Sequence, residues 1–131
     1  MSSGQRAQVD AIMRQPRPED RTVEAMRAGF AATMARMTVP SGIRTTETTL
    51  GGRRALLVEP TGRQRPGTIL YLHGGAWVLG SPETSLALTA NLVVRTGMRS
   101  LSLDYRLAPE NPLPAAIQDT LGAYRALLGR P

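Results

Sequence analysis

Residues 68–81 read Thr68-Ile69-Leu70-Tyr71-Leu72-His73-Gly74-Gly75-Ala76-Trp77-Val78-Leu79-Gly80-Ser81, and what this stretch can do decides the fold. Thr68–Leu72 is a continuous apolar run with the length of a strand covered on both faces. Two glycines follow it, and then helix-start residues: Ser81 as N-cap, Pro82 at the first helical position and Glu83 behind it. Gly97 marks the end of that helix. Its Leu86, Leu88, Leu92, Val93 and Val94 are apolar on more than one side, which predicts a well-buried helix. Met98–Leu103 reads as a second strand with Leu101 and Leu103 on one face. A proline-punctuated loop, Ala108–Pro112, leads to Pro114, which opens a last helix. Ile117, Leu121, Tyr124 and Leu128 are its predicted buried stripe, and Gly129 ends it. Strand, helix, strand, helix is the order of parallel strands joined by right-handed crossovers, so the fold class is α/β.

Outward toward the N-terminus, the Thr-rich run Ile43–Leu50, the turn Gly51-Gly52 and Arg53–Glu59 predict a hairpin. The glycine pair supplies the positive φ angles that a tight hairpin turn requires. Residues 60–67, PTGRQRPG, are a loop by composition. The first 40 residues read as helix. After the turn at Gln15-Pro16-Arg17, Pro18 takes a first helical position, with Glu19 and Asp20 at the positive end of the dipole. Val23, Met26, Phe30, Met34 and Met37 then form one apolar stripe. Such a stripe either fills core gaps or gives an adaptable lining to an apolar pocket.

Composition closes several routes. The 131 residues allow one domain. Without Cys there is no disulfide framework, zinc ribbon or thiol nucleophile, and a single His excludes an all-histidine metal cage. Apolar runs fall far short of a membrane span, and the opening MSSGQRAQVD is too polar for a signal-peptide core, so a soluble cytoplasmic protein is expected. All 16 basic residues are Arg, and the net charge is +6. A nucleic-acid binder would cluster Arg on one face with stacking aromatics between them. Phe30, Tyr71, Trp77, Tyr105 and Tyr124 lie outside every Arg cluster, so a solvated face is the expectation and no nucleic-acid partner is.

The chemistry concentrates in the loop after Leu72. It sits at the carboxyl end of a buried strand, where open α/β sheets place their ligands. Glycines there let a ligand approach main-chain N–H groups closely. Two or three convergent N–H donors are what a tetrahedral oxyanion needs in acyl transfer. Gly75 to Gly80 has P-loop spacing, but Ser81 stands where the Lys belongs, and GxGxxG is absent. A glycine pair alone could equally be a tight turn.

YLHGGAWVLGS at 71–81 together with LDYRLAPENPLPAAIQD at 103–119 resembles the hormone-sensitive-lipase-like (GDXG) branch of the α/β-hydrolases, closely over 66–128 and loosely before. The resemblance implies a carboxylic-ester hydrolase, an esterase or lipase acting on a small-molecule ester without metal or organic cofactor. It implies a helical cap-like segment over 1–40 and the N-terminal half of the hydrolase domain over 41–131. Gly74 and Gly75 match the family's oxyanion-hole glycines, and Ala76 replaces the third glycine of the HGGG form. His73 matches the motif histidine. Because the family's triad runs Ser, Asp or Glu, His, this histidine is expected to orient the loop rather than act as base. Trp77 and the N-terminal helices would border the acyl pocket. Asp104, Tyr105 and Arg106 match the family's DYR; either Asp104 or Arg106 touches substrate, or the three form a mutually paired set pinning Leu107–Pro114.

The family's nucleophile lies on a GxSxG elbow one strand beyond the helix that ends near Leu128. No serine here has Gly at both −2 and +2, and none of the Ser, Asp, His triad is recognisable. The expectation is a chain truncated before the elbow and inactive alone, with Thr68–Leu72 left as an exposed sheet edge open to aggregation or complementation. The alternatives are a non-catalytic, receptor-like small-molecule binder and a remnant without function.

Overall fold

The computed structural model describes residues 2–16 and 21–129. Two helices, α1 (Ser3–Met13) and α2 (Val23–Met34), precede strands β1 (Ile43–Leu50), β2 (Arg53–Pro60) and β3 (Thr68–Leu72). Helix α3 (Leu86–Thr96), strand β4 (Arg99–Leu103) and helix α4 (Ala115–Leu128) follow. The expected start at Pro18, Glu19 and Asp20 lies outside the described residues. Thr22 caps α2, its hydroxyl accepting from the Ala25 N–H at 3.2 Å.

The strands form one sheet in the order β1-β2-β4-β3. β1 and β2 make the expected hairpin, closed by Gly51 at φ 59° and Gly52 at φ 80°. β4 lies antiparallel to β2 and parallel to β3, the parallel pair being the one that α3 connects. Alternation along β2 sorts its side chains into two cores. Ala55 and Leu57 join Leu50, Leu101, Leu103, Tyr105, Ala116 and Ala123, while Leu56 and Val58 join Val93 of α3. Helices α4 and α3 therefore cover opposite faces of the sheet. β3 is an edge strand, and Leu72 at its carboxyl end is 42% exposed.

Three expectations are corrected. The Ser81 hydroxyl accepts from the Thr84 N–H at 3.2 Å and closes a turn, and α3 begins one turn later, at Leu86. Only Thr89, Ala90 and Val93 of α3 are buried, whereas Leu88 and Val94 are exposed, because the helix is covered by the sheet on one side alone. In α4 the predicted stripe Ile117, Leu121, Tyr124 and Leu128 is exposed; the buried face is Ala115, Ala116, Asp119 and Ala123. The reason is closeness of approach. A Cβ on Gly51 would lie 2.5 Å from the Ala123 nitrogen and 2.7 Å from the Gly122 oxygen, so the hairpin turn touches the α4 backbone and only small residues fit between. Of the N-terminal stripe, Val23, Phe30 and Met34 are half-buried, Met26 is exposed, and Met37 lies beyond the helix and is exposed.

The two turn glycines are not equivalent. Gly51→Ala combines a left-handed φ with a backbone clash and is expected to cost about 3 kcal/mol. Gly52→Ala meets nothing within 4 Å and should cost about 1 kcal/mol for its φ alone. Urea unfolding of the two variants measures the difference.

Candidate active site

Beyond Leu72 the chain leaves the sheet and turns through an unusual backbone path. Gly75 has φ 129°, Ala76 53°, Trp77 60° and Gly80 94°. Two consecutive non-glycine residues in the left-handed region cost on the order of 1–2 kcal/mol each, so the surroundings must hold them there. Carbonyl groups provide the hold. The Gly75 oxygen accepts from the N–H groups of Val78 (3.0 Å) and Leu79 (2.8 Å), and the Trp77 oxygen accepts from Ala108 N–H at 2.8 Å. Among the described residues, no turn or loop hydrogen bond takes the N–H of Gly74, Gly75 or Ala76. Those residues, with His73 and Trp77, line a cleft of about 430 Å³. Leu72, Tyr105, Ala116, Ile117, Thr120 and Leu121 complete the lining, so two members of the outward stripe of α4 serve as pocket wall. No residue of α1 or α2 lines this cleft, contrary to the expected border of N-terminal helices.

The glycines divide by what a side chain would meet. A Cβ on Gly75 would sit 2.1 Å from the Leu79 oxygen, and one on Gly80 would sit 2.5 Å from both the Gly74 oxygen and His73 Nδ1. A Cβ on Gly74 would meet nothing within 4 Å. Gly75 and Gly80 are therefore required by the loop itself, while Gly74 leaves its space open.

His73 lies under the loop, 3% exposed. Its ring stacks on Tyr105, with centroids 4.3 Å apart and planes 11° from parallel. The Tyr105 hydroxyl donates to the His73 carbonyl at 2.5 Å. Nδ1 lies 2.9 Å from the Gly74 oxygen, which assigns the ring proton to Nδ1, since only that tautomer can donate. Burial pushes the imidazole pKa below its ordinary 6.5, against the Gly74 carbonyl and the charges of Asp104 and Glu83. The ring is neutral at pH 7, and it shapes the loop through Gly74.

Asp104, Tyr105 and Arg106 do not pair with one another. Ala55 stands opposite Leu103, so the next antiparallel pair sets Arg54 against Asp104. The Asp104 N–H donates to the Arg54 carbonyl at 2.9 Å, and Arg54 Nη1 reaches Asp104 Oδ2 at 3.3 Å. Arg54 also holds Glu47 at 3.1 Å and Glu83 in the turn before α3. Burial is the largest single influence on the Glu83 pKa and works to raise it. The hydrogen bonds from Arg54, the backbone and Ser81, with the Arg54 charge, together outweigh it and keep the carboxyl below its usual range. Arg106 turns the other way and forks onto Asp119 of α4, with Nη2 at 2.8 Å and its backbone N–H at 2.9 Å. Arg53 Nε stands 3.4 Å from the same carboxylate, in charge contact but without a hydrogen bond. Each member of the triplet thus anchors a different element.

Sequence reasoning did not single out Arg27, Arg54 or Asp119. The Arg54–Asp104 pair follows from the antiparallel β2–β4 register, which the sequence alone did not supply. Nothing local announced Arg27, whose guanidinium reaches from α2 to the Val78 carbonyl (2.8 Å), the Ala108 carbonyl (2.9 Å) and both oxygens of Glu110 (2.7 and 2.8 Å). Those hydrogen bonds pull the Glu110 carboxyl down to about 2.

Two outcomes follow for the loop. Gly75→Ala and Gly80→Ala should each cost more than about 2 kcal/mol in urea unfolding, while Gly74→Ala stays within about 1 kcal/mol of the parent. The His73 ring resonances should titrate with a midpoint below 6.5. Because the folded ring binds protons less readily than the unfolded one, stability is full above 6.5 and falls as pH drops from 6.5 to that midpoint. A midpoint above 6.5 would contradict the assigned burial.

Comparison with known proteins agrees with this geometry. A family profile described as alpha/beta hydrolase fold matches residues 69–130. An acetyl-hydrolase of Streptomyces hygroscopicus is 46% identical over 80 residues, which are 61% of this chain and 26% of that protein. An esterase of Acinetobacter venetianus is 48% identical over 60 residues, 46% of this chain and 20% of that one. The crystal structure of a hormone-sensitive lipase from a metagenome library superposes with a TM-score of 0.88 at 39% identity, covering 98% of this chain and 43% of that one. The chain thus spans less than half the length of each of these relatives. Among the described residues no helix is long and apolar enough to cross a membrane. In sequence and fold alike, the chain belongs to the hormone-sensitive-lipase-like family of α/β-hydrolases, a family of esterases and lipases, and corresponds to an N-terminal portion of that fold.

Proposed function

We propose that this chain supplies the oxyanion-stabilising part of a carboxylic-ester hydrolase site. The observation that carries it is the division of labour along Gly74–Trp77. The carbonyls of Gly75 and Trp77 are tied back into the protein, while the N–H groups of Gly74, Gly75 and Ala76 take no part in those bonds and the residues line an apolar cleft. When a nucleophile adds to an ester carbonyl, negative charge develops on the carbonyl oxygen. Donors fixed in advance stabilise that charge without reorganising, and each is typically worth about 3–4 kcal/mol in the transition state. The open space at Gly74 admits the tetrahedral centre, and Trp77, Ile117 and Leu121 offer apolar surface to the acyl or alcohol group.

The nucleophile comes from outside these residues. Ser100 and Ser102 are fully buried in β4, and the Ser81 hydroxyl is engaged by Thr84. His73 is stacked beneath the loop with its Nδ1 proton committed to Gly74, which suits an orienting role and not that of a base. The exposed edge of β3 and the adjoining outward face of α4 are the surface on which a nucleophile-bearing segment would seat. In this arrangement residues 1–40 serve as a cap-like segment, tied to the loop through Arg27.

Titration of the isotope-labelled chain with methyl butylphosphonate, an anionic mimic of the tetrahedral intermediate, tests the proposal by amide chemical shifts. Saturable shifts centred on Gly74, Gly75 and Ala76 are expected. No response there, or a response only at Arg63 and Arg65, would overturn it. The chain alone should hydrolyse p-nitrophenyl butyrate at the buffer rate; turnover abolished by a serine-directed phosphonate would contradict an external nucleophile. Loop binding of uncharged esters as tight as that of the phosphonate would favour a non-catalytic binding protein.

A further inference from the structure

We propose that Arg27 is the positioning residue of the Gly74–Trp77 loop, so that the loop keeps its donors free only while helix α2 is seated. The inference rests on the functional reading above, but its physical content is separate. A loop with two successive left-handed non-glycine residues relaxes unless its neighbours hold it. Within the loop, the Gly75 carbonyl is satisfied by Val78 and Leu79. Farther along, the carbonyls of Trp77 and Val78 are held from outside, the first by Ala108 N–H and the second by Arg27 Nε.

Arg27 also holds the far side of the same junction. Its Nη2 donates to the Ala108 carbonyl, so one residue of the proline loop receives from Arg27 while donating to Trp77. Glu110 accepts from both terminal nitrogens and fixes the plane of the guanidinium. One side chain thus joins α2, the loop after β3 and the loop after β4. Lysine could not reproduce this. Its ammonium is a single point on a flexible stem, whereas three nitrogens in a planar fork reach four acceptor atoms here. Arg27 is about one-third exposed and its partner Glu110 about one-half, so the clasp lies where displacement of α2 would open it to water.

The clasp predicts a coupling between an N-terminal helix that does not line the cleft and backbone groups that do. Any event that lifts α2 releases the Val78 and Ala108 carbonyls together and lets the Ala76–Trp77 pair fall back to ordinary φ values, turning donors away from the cleft.

Hydrogen exchange and phosphonate titration of the full chain test this together, in the parent, Arg27→Ala, Arg27→Lys and Glu110→Gln. In Arg27→Ala, the Leu79 and Ala108 amides should exchange at least about tenfold faster while Leu101 and Leu103 in β4 keep parental protection. Methyl butylphosphonate should bind about tenfold or more weakly. Arg27→Lys should fall between, and Glu110→Gln, which retains the bonds to both carbonyls, should stay near the parent. Parental loop exchange and parental phosphonate affinity in Arg27→Ala would overturn the inference. Loss of β4 protection in Arg27→Ala would show a global fold contact instead and would also overturn it, with Arg27→Lys as the check. If the parent itself ignores the phosphonate, the functional proposal fails and the exchange comparison still decides the clasp.

Discussion

The loop after β3 depends on one constraint: Gly75, Ala76 and Trp77 are held at positive φ, a region that non-glycine side chains avoid. That path turns carbonyls inward to Val78, Leu79 and Ala108 and leaves consecutive N–H groups beside the cleft. Everything around the loop serves to keep it so. His73 and Tyr105 form a stacked floor, Gly80 passes so close to His73 and Gly74 that no Cβ fits, and Arg27 closes the outer side. The strain is local, and it is offset by contacts drawn from α2, β4 and the proline loop.

An arginine-only basic complement has a structural use in this setting. Arg27, Arg54 and Arg106 each bind more than one acceptor, and each links segments distant in sequence. Planar forks suit that task better than ammonium groups. Arg54 ties β2 to the turn before α3 and to the end of β4, while Arg106 ties the end of β4 to α4. The elements converging on the carboxyl ends of the parallel strands are therefore cross-braced by charge as well as by packing.

Two parts of the sheet were legible in the sequence. The Gly-Gly turn between two strand-like runs marked the hairpin, and the apolar run followed by a capped helix and a second strand marked the parallel pair, whereas the antiparallel seating of β2 on β4 had no local sign. Helix faces were not legible. In α4 the strongest apolar stripe points away from the sheet, because the hairpin turn at Gly51 comes too close to the helix for anything but alanine and glycine. In α3 periodicity measured hydrophobicity without knowing that one side only would be covered. At the site, the paired glycines and His73 could be found from local chemistry. The partners of Asp104 and Arg106 depended on strand register and helix placement, and Arg27 meets Glu110 across 83 residues with no local sign.

The most direct test of the central claim is a crystal structure of the chain with methyl butylphosphonate bound. The account predicts a phosphonyl oxygen within about 3 Å of at least two of the nitrogens of Gly74, Gly75 and Ala76, with Ala76 and Trp77 still at positive φ. A phosphonate seated elsewhere, with those nitrogens bonded to protein carbonyls, would contradict it.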